Sequence, residues 1–276
     1  MVDCHIHMVL DGEYWRDAIA RHEKAPREDH IRGILEIYRE KGYTYLRDGG
    51  DRWGVGKRAR ELAGEYGITY RTPLAPLCMA GHYGSFIGTV YENLKEYAEL
   101  VRKTKADGGD FIKIMISGLM DFDHFGVLTQ PGLDSAIIRE LIHIAHEEGM
   151  AVMAHANGGE TVLAAADAGV DSVEHGAYLN GEALAAMEER GTVWVPTLST
   201  VGNLQGKGRF PDGETRKILE STLRNLENYR GLVAPGTDAG AWAVPHGCMT
   251  EEAWLAMAGI DENRLADGIA AIREKF

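Results

Sequence analysis

Short β-type runs alternate with longer helical segments along almost the whole chain, and this alternation constrains the fold more than any other feature. Eight short apolar runs predict strands. Seven segments between them carry apolar residues at three- and four-residue spacing, which predicts helices. The segment from Leu133 to Gly149 shows the helical pattern, with Asp134 as a plausible N-cap and Gly149 as the C-terminal stop.

The positions of these elements predict a parallel sheet. The predicted strands lie at 2–7, 44–47, 69–74, 111–117, 151–155, 172–175, 192–196 and 232–237. The predicted helices lie at 29–41, 56–66, 90–104, 134–148, 160–168, 181–189 and 214–229, with more helical sequence after Thr250. This order predicts a (β/α)8 TIM barrel of the α/β class, with 1–276 as a single domain. An open doubly wound sheet would normally show a glycine-rich loop after strand one, and "HIHMVLDGEYW" is not one.

Composition excludes several classes of partner. The chain has 276 residues and a formal net charge of −13, which argues against binding to nucleic acid or anionic membranes. Its three cysteines, Cys4, Cys78 and Cys248, form no CxxC pair, so neither a disulfide framework nor a thiolate zinc site is expected. No apolar run approaches the roughly 18 residues of a membrane span. We therefore expect a cytoplasmic protein with a small-molecule substrate, and homo-oligomerisation stays open.

Side chains of metal-binding type occur at the ends of the predicted strands. They are His5, His7, Lys113, His155, His175 and Asp238. In a barrel, the chemistry takes place at the carboxyl ends of the strands, so these side chains would meet at one face. Each residue taken singly is explained as well by an ordinary structural role. Six of them at strand ends of one barrel are hard to explain in that way.

The two-residue period of a strand sharpens two of these assignments. His5 and His7 share one strand face, whereas Cys4 and Ile6 take the other. In "FIKIMIS" the isoleucines occupy the face that should pack on helices, so Lys113 is predicted to point inwards. A buried lysine must be neutralised or paired. A salt bridge between Lys113 and Asp238, or an extended side chain that reaches the rim, is the alternative to a metal site.

The six positions together resemble the pattern of the amidohydrolase superfamily of metal-dependent hydrolases. That pattern has His-x-His on strand one, a lysine on strand four, histidines on strands five and six, and an aspartate on strand eight. The resemblance covers nearly the whole chain and implies two divalent metal ions bridged by a carboxylated Lys113, with zinc suited to the imidazole and oxygen ligands. The strand-one histidines and Asp238 would hold the buried ion with Lys113, and the other two histidines the more exposed one.

Further stretches narrow the resemblance to one branch of that superfamily. "FIKIMISG", "HIAHEEGMAVMAHANG", "AGVDSVEHGAYL", "PTLST" and "GTDAGAWAVPHG" resemble Xaa-Pro dipeptidases, N-acyl amino acid hydrolases and imidazolonepropionase-related amidohydrolases. In that branch a histidine after strand three and a tyrosine after strand six hold the substrate carboxylate, and His82 and Tyr178 match them. His124, in the acidic loop "DFDHF", is a further candidate for substrate contact. The small β-sandwich that usually accompanies the barrel is expected to be absent.

The resemblance predicts cleavage of a peptide-like amide bond in a small carboxylate-bearing substrate, such as a dipeptide or an N-acyl amino acid. A metal-bound hydroxide would attack the carbonyl, and Asp238 would act as the proton shuttle. Lactone or ester hydrolysis would use the same site and stays open. Deaminases usually carry His-x-x-Glu after strand five, where this chain has "HANG" starting at His155. A non-enzymatic relative would be expected to have lost some of the six residues.

Overall fold

Parallel strands and the helices between them form the structure, a computed structural model that describes residues 1–276. The strands are β1 Val2–Ile6, β2 Tyr45–Asp48, β3 Thr69–Arg71, β4 Leu77–Met79, β5 Thr89–Tyr91, β6 Ile112–Met115, β7 Val152–Ala156, β8 Ser172–His175 and β9 Val193–Val195. The helices are α1 Trp15–Ala20, α2 Glu28–Glu40, α3 Val55–Ala63, α4 Leu94–Ala106, α5 Ser135–Glu147, α6 Gly159–Asp167, α7 Gly181–Arg190, α8 Ser199–Gly202, α9 Asp212–Asn228, α10 Thr250–Met257 and α11 Glu262–Lys275. A 3-10 turn, Gly64–Tyr66, follows α3.

The strands form two sheets in which every pair is parallel. One sheet has the order β1-β2-β3, and the other has the order β5-β4-β6-β7-β8-β9. The predicted α/β class with parallel strands is therefore confirmed. The predicted third strand, 69–74, ends at Arg71, because Pro73 has no N–H to donate and Leu74 has a φ of 66°. The strands β4 and β5 were not predicted. The closure of a barrel stays a prediction, because the strands do not form one closed sheet.

The segment 232–239 runs between β9 and β1 without forming a regular strand. On one side Trp194 N donates to Leu232 O at 2.9 Å, and on the other Cys4 N donates to Pro235 O at 2.9 Å. Two isolated parallel bridges add to these bonds, one of them between Ile6 and Ala239. The prediction of a regular strand at 232–237 is wrong, since Pro235 cannot donate to a ladder. The segment nevertheless lies alongside both neighbouring strands.

The predicted helices agree better with the structure than the strands do. Seven predicted segments correspond to α2 through α7 and α9, and the sequence after Thr250 forms α10 and α11. The Asp134 side chain accepts a hydrogen bond from Ala136 N at 2.8 Å, so it caps α5 as predicted. Gly149 has a φ of 71°, a left-handed conformation that suits glycine after a helix. The short helices α1 and α8 were not predicted.

The core confirms the predicted direction of Lys113. Ile112, Ile114 and Ile116 belong to an apolar cluster with residues of α5, so this face of β6 packs on a helix. The other face carries Phe111, which packs in a different cluster with Met153 and Phe276. Because Lys113 follows Phe111 by two residues, the Lys113 side chain lies on that inner face, and it is 1% exposed.

Two further expectations concern the whole chain. None of the helices combines the length and the apolar character needed to cross a bilayer. All three cysteines are buried and free, which agrees with the expected absence of a disulfide framework.

Candidate functional site

Four of the six residues singled out at strand ends lie in close contact: His5, His7 and Asp238 contact one another, and His175 packs against His5. His5 Nε2 lies 3.4 Å from His7 Nε2, and Asp238 Oδ1 lies 3.6 Å from the first and 3.3 Å from the second. The His5 and His175 rings have centroids 5.2 Å apart. One potential ligand atom each of His5, His175 and Asp238 lies within 4.8 Å of the other two, a spacing at which the three could hold one metal ion.

His155 and Lys113 complete the group. The His155 and His175 ring centroids are 4.6 Å apart, and both side chains are almost fully buried. Lys113 pairs with Met153 in the register of β6 and β7, two residues before His155. The structure therefore brings the strand-end residues together, with Asp238 supplied by the segment that lies beside β1.

A buried aspartate holds that segment against β1. The Asp3 carboxylate accepts hydrogen bonds from Thr237 N at 2.9 Å, Thr237 Oγ1 at 2.6 Å and His5 N at 3.2 Å. Asp238 N donates to His5 O at 2.7 Å. These four bonds place Asp238 beside His5 although the segment is not a regular strand.

Three buried polar atoms in the site, His7 Nδ1, Lys113 Nζ and Asp238 Oδ1, have no hydrogen-bond partner. Lys113 Nζ and Asp238 Oδ1 make no hydrogen bond, so the salt bridge considered from the sequence is not formed. Burial lowers the pKa of Lys113 to about 8 and raises the pKa of Asp238 to about 8. Buried polar groups are normally paired, so these three atoms indicate a site built to contact something else.

The four imidazoles are held in the form that binds metals. Burial lowers the pKa of His7 and His155 to about 3 and places the pKa of His5 and His175 well below the ordinary value. They are therefore neutral near pH 7, and each neutral ring has one nitrogen with a free lone pair.

The protein engages one nitrogen of His5 through a buried ionic network. His5 Nδ1 donates to Glu174 Oε2 at 2.7 Å. The other oxygen, Glu174 Oε1, accepts from Arg47 Nη2 at 2.8 Å and from Ser172 Oγ at 2.6 Å. Arg47 Nε also donates to the backbone O of Cys4 at 2.7 Å. This network leaves His5 Nε2 as the lone-pair nitrogen, directed at His7 and Asp238.

His175 and His155 are oriented in the same way. His175 Nδ1 lies 2.7 Å from Thr197 Oγ1, and His155 Nε2 donates to Gly118 O at 3.2 Å. Each ring thus keeps one nitrogen free, the arrangement by which surrounding groups set the tautomer of a metal-binding histidine. Sequence reasoning did not find Thr197, Glu174 or Arg47. In "VEHG", Glu174 directly precedes the candidate ligand His175. The two-residue period of a strand predicts that adjacent side chains point to opposite faces, so it gave no sign that Glu174 also reaches the site.

Unusual backbone angles occur where the strands end at the site. His175, Thr197 and Asp238 have φ values of 68°, 49° and 57°. This region is uncommon for residues other than glycine, and it is least favourable for a β-branched residue such as Thr197. Because the backbone turns at His175, the adjacent residues Glu174 and His175 both contact His5. Strain of this kind clusters at functional sites.

A cavity of about 680 Å³ opens over the group, and His7, His175 and Asp238 form part of its lining. None of the three predicted substrate contacts lines it. His82 and Tyr178 are partly buried elsewhere, and His124 is exposed with its Nδ1 3.1 Å from Asp121 Oδ2. Their role in substrate binding stays a prediction.

Neighbours of two of those residues do line the cavity. Tyr83, next to His82, packs its ring 4.8 Å from that of His155. From the "DFDHF" loop, Asp121, Phe122 and Asp123 line the cavity. Two of the three predicted contacts thus lie in loops that line the cavity, but neighbouring side chains form the lining.

The residues fit divalent metal ions. Neutral imidazoles, a carboxylate and an unpartnered lysine nitrogen converge in a buried volume, and imidazole and oxygen donors suit zinc and similar ions. The free amine can add carbon dioxide to give a carbamate and a proton, which would turn Lys113 into an anionic oxygen donor. The unpartnered Lys113 Nζ and Asp238 Oδ1 are the observations that favour this fit.

Comparisons with known proteins agree with the resemblance. No protein-family profile matches the chain. An ochratoxinase of Aspergillus niger is 25% identical over 275 residues, which cover 85% of this chain and 55% of that protein. The chain thus spans about half the length of this relative.

Solved structures share the fold. A Xaa-Pro dipeptidase with methionine bound in its active site superposes with a TM-score of 0.78 at 22% identity, covering 100% of this chain and 75% of that one. An amidohydrolase superposes with a TM-score of 0.75 at 20% identity, covering 98% and 74%. The chain therefore shares the fold of a Xaa-Pro dipeptidase and an amidohydrolase, and the names of these proteins agree with the resemblance to the amidohydrolase superfamily.

Proposed function

We propose that this chain carries the catalytic centre of a metal-dependent amidohydrolase, which cleaves a peptide-like amide bond in a small carboxylate-bearing substrate. One observation carries the proposal: four histidines and Asp238 lie together in a buried group, and Lys113 Nζ and Asp238 Oδ1 are buried without a hydrogen-bond partner. The proposal includes a single domain over 1–276. In it the seven strands at predicted positions and the 232–239 segment form a (β/α)8 barrel, and the unpredicted β4 and β5 are additional to these eight. Its support is the backbone bonding of that segment to both β9 and β1.

Two divalent ions, with zinc as the preferred metal, are assigned to this group. His5, His7 and Asp238 would hold the buried ion and the other two histidines the more exposed one, with carboxylated Lys113 between the ions. When bound, the ions would lower the pKa of a water molecule towards about 7 and polarise the scissile carbonyl. His5 is fully buried, which agrees with its assignment to the buried ion.

Asp238 is the group that moves the proton. Its carboxylate is the only one that lies within 4 Å of both His5 and His7, and it also lines the cavity, so it reaches both ligands and substrate. We assign it to accept the proton of the attacking water and deliver it to the leaving amine. His82, Tyr178 and His124 are retained as proposed contacts for the substrate.

Metal analysis together with a substrate panel tests this function. Protein reconstituted with zinc is expected to hold two ions per chain and to hydrolyse members of a panel of dipeptides and N-acyl amino acids. Lactones in the same panel separate amide from ester hydrolysis. Fewer than one ion per chain in carefully prepared holoprotein would contradict the two-metal site, and hydrolysis of lactones alone would contradict the amide assignment.

Replacing Thr197 by valine is expected to weaken zinc binding by about 10- to 100-fold, because the His175 ring loses the hydroxyl that orients it. Valine keeps the branched shape, so the backbone turn at this position is disturbed little. Thr197→Ser keeps the hydroxyl and serves as the matched control. Competition with a metal-binding dye measures the affinity, and equal affinities for the valine and serine variants would contradict the orienting role.

A further inference from the structure

The cavity over the His/Asp group is larger than two small residues require. Its volume of about 680 Å³ lies in the range of sites that enclose drug-sized ligands. About half of its lining residues are apolar, and the aromatic ones come from five separate segments of the chain. The aromatic lining residues are Trp15, Tyr83, Phe86, Phe122, Phe210 and Trp242.

Three of these rings form one continuous wall, the Tyr83 wall. The Trp15 and Phe86 centroids are 5.4 Å apart at an interplanar angle of 67°, and the Phe86 and Tyr83 centroids are 5.7 Å apart. The wall reaches the catalytic group directly, because the Tyr83 ring lies 4.8 Å from the His155 ring.

The other three rings form a second wall, the Trp242 wall. Phe122 and Phe210 have centroids 5.1 Å apart, and Phe210 and Trp242 have centroids 6.1 Å apart at 85°. Trp242 lies four residues after Asp238, so this wall also begins at the catalytic group. Both walls therefore lead from the site of the reaction into the same cavity.

A guanidinium group covers the Trp242 wall. Arg209 Cζ lies 4.6 Å from the Trp242 centroid and 5.2 Å from the Phe210 centroid, a geometry for cation–π attraction. The charged residues that line the cavity beside it are Glu13, Asp121 and Asp123. These carboxylates would repel an anionic group, so the part of a ligand that lies between the walls should be uncharged.

We infer that the two aromatic walls bind a flat, uncharged aromatic acyl group, so that the preferred substrates are N-aroyl amino acids rather than amides of small aliphatic acids. This inference rests on the proposed amide hydrolysis. Aromatic pairs prefer offset or edge-to-face contact, and such a pair contributes roughly a 2- to 12-fold preference beyond the area that it buries. With burial of the ring added, the expected preference for a benzoyl over an acetyl group is about 10- to 100-fold in kcat/KM.

The test compares three acyl groups on one and the same amino acid, with zinc-reconstituted protein. N-benzoyl is expected to exceed N-acetyl by about 10- to 100-fold, and to exceed N-cyclohexanecarbonyl by about 3- to 10-fold because the saturated ring is not flat. Trp242→Ala is expected to reduce the ratio of benzoyl to acetyl kcat/KM several-fold. Trp242→Phe is expected to retain most of the preference.

Trp53 offers a matched control, because Arg52 stacks on it at 4.6 Å outside the cavity. Trp53→Ala is expected to leave the acyl preference unchanged. Equal kcat/KM for all three acyl groups, or equal values for the two ring compounds, would overturn the aromatic site while leaving amide hydrolysis intact.

If no compound is hydrolysed, the proposed amide hydrolysis is contradicted, but the aromatic site can still be tested by binding. Calorimetry then measures the affinity of the protein for benzoate, cyclohexanecarboxylate and acetate. Tighter binding of benzoate that is lost in Trp242→Ala supports the aromatic site. Equal affinities for the three acids overturn it.

Discussion

Replacing Asp238 by asparagine is expected to lower kcat for amide hydrolysis by about 10²- to 10⁴-fold, the usual contribution of a positioned proton-transfer group. The amide of asparagine can still act as a neutral ligand, but it cannot accept a proton from the attacking water. The fold should be retained for two reasons. Asparagine tolerates the left-handed backbone of this position, where φ is 57°. Asp238 Oδ1 also makes no hydrogen bond that the change would break.

Steady-state kinetics and thermal unfolding of the same preparation check this result. Asp134→Asn is the matched control, because Asp134 is an exposed helix cap and asparagine caps a helix equally well. The control should keep both its activity and its unfolding temperature. Turnover by Asp238→Asn at the rate of the unchanged protein would remove Asp238 from the proton transfer, whatever its effect on metal content.

The inward direction of Lys113 could be predicted because the geometry of β6 is regular. In β6 the alternation of isoleucines with Phe111, Lys113 and Met115 is strict, and burial on opposite faces follows from the two-residue period. The helices were predicted well for the same reason, since α5 buries one continuous stripe. Regular hydrogen bonding makes both patterns visible in the sequence.

Prediction failed where the backbone departs from that regularity. The pairing of β1 with β2 shifts in register between Asp3 and Ile6, so parity alone does not assign Cys4, which packs with Phe111 and Met153. The positive φ at His175 is likewise not visible in the sequence, so the contact of Glu174 with His5 could not be predicted. Such turns depend on contacts with distant segments, which a local pattern does not contain.

The cavity walls could not be predicted either, for a different reason. Trp15, Phe122 and Phe210 belong to loops and short elements that have no periodic pattern, and they meet only because the strands bring their loops to one end. Tyr83 lines the cavity and the adjacent His82 does not, and the conformation of their loop decides which of the two side chains points inwards. In this protein the sequence predicts the positions of the strand-end residues better than the shape of the cavity above them.

Replacing Lys113 by methionine is expected to have opposite effects on the metal-free and the metal-loaded protein. In the metal-free protein Lys113 is buried without a partner, and the lowering of its pKa from 10.5 to about 8 corresponds to roughly 3 kcal/mol of unfavourable burial. Methionine removes the cost of burying a charged amine, so the free energy of unfolding at pH 7 should rise by up to about 3 kcal/mol. In the presence of zinc the variant should instead bind fewer ions and lose activity, because no carbamate can form.

The pH dependence separates this explanation from a simple gain in packing. Below pH 8 the lysine is charged in both the folded and the unfolded protein, so its burial cost is fully present. Between pH 8 and 10.5 the folded protein carries the neutral amine while the unfolded chain still binds the proton, so the unchanged protein gains stability as the pH rises. Methionine cannot titrate, and the difference between the two metal-free proteins should therefore shrink across this range.

Urea unfolding of chelator-treated protein at pH 7 and pH 10, with and without added zinc, measures all of these effects. Lys95→Met, at an exposed position of α4, is the control and should change neither stability nor metal content. A stability gain of equal size at both pH values would show that the methionine merely packs better. Two ions per chain in Lys113→Met would show that the lysine is not a ligand. The opposite signs would have one cause: the amine is costly when protonated in this interior, whereas as a carbamate it would be an anionic ligand for the proposed metal ions.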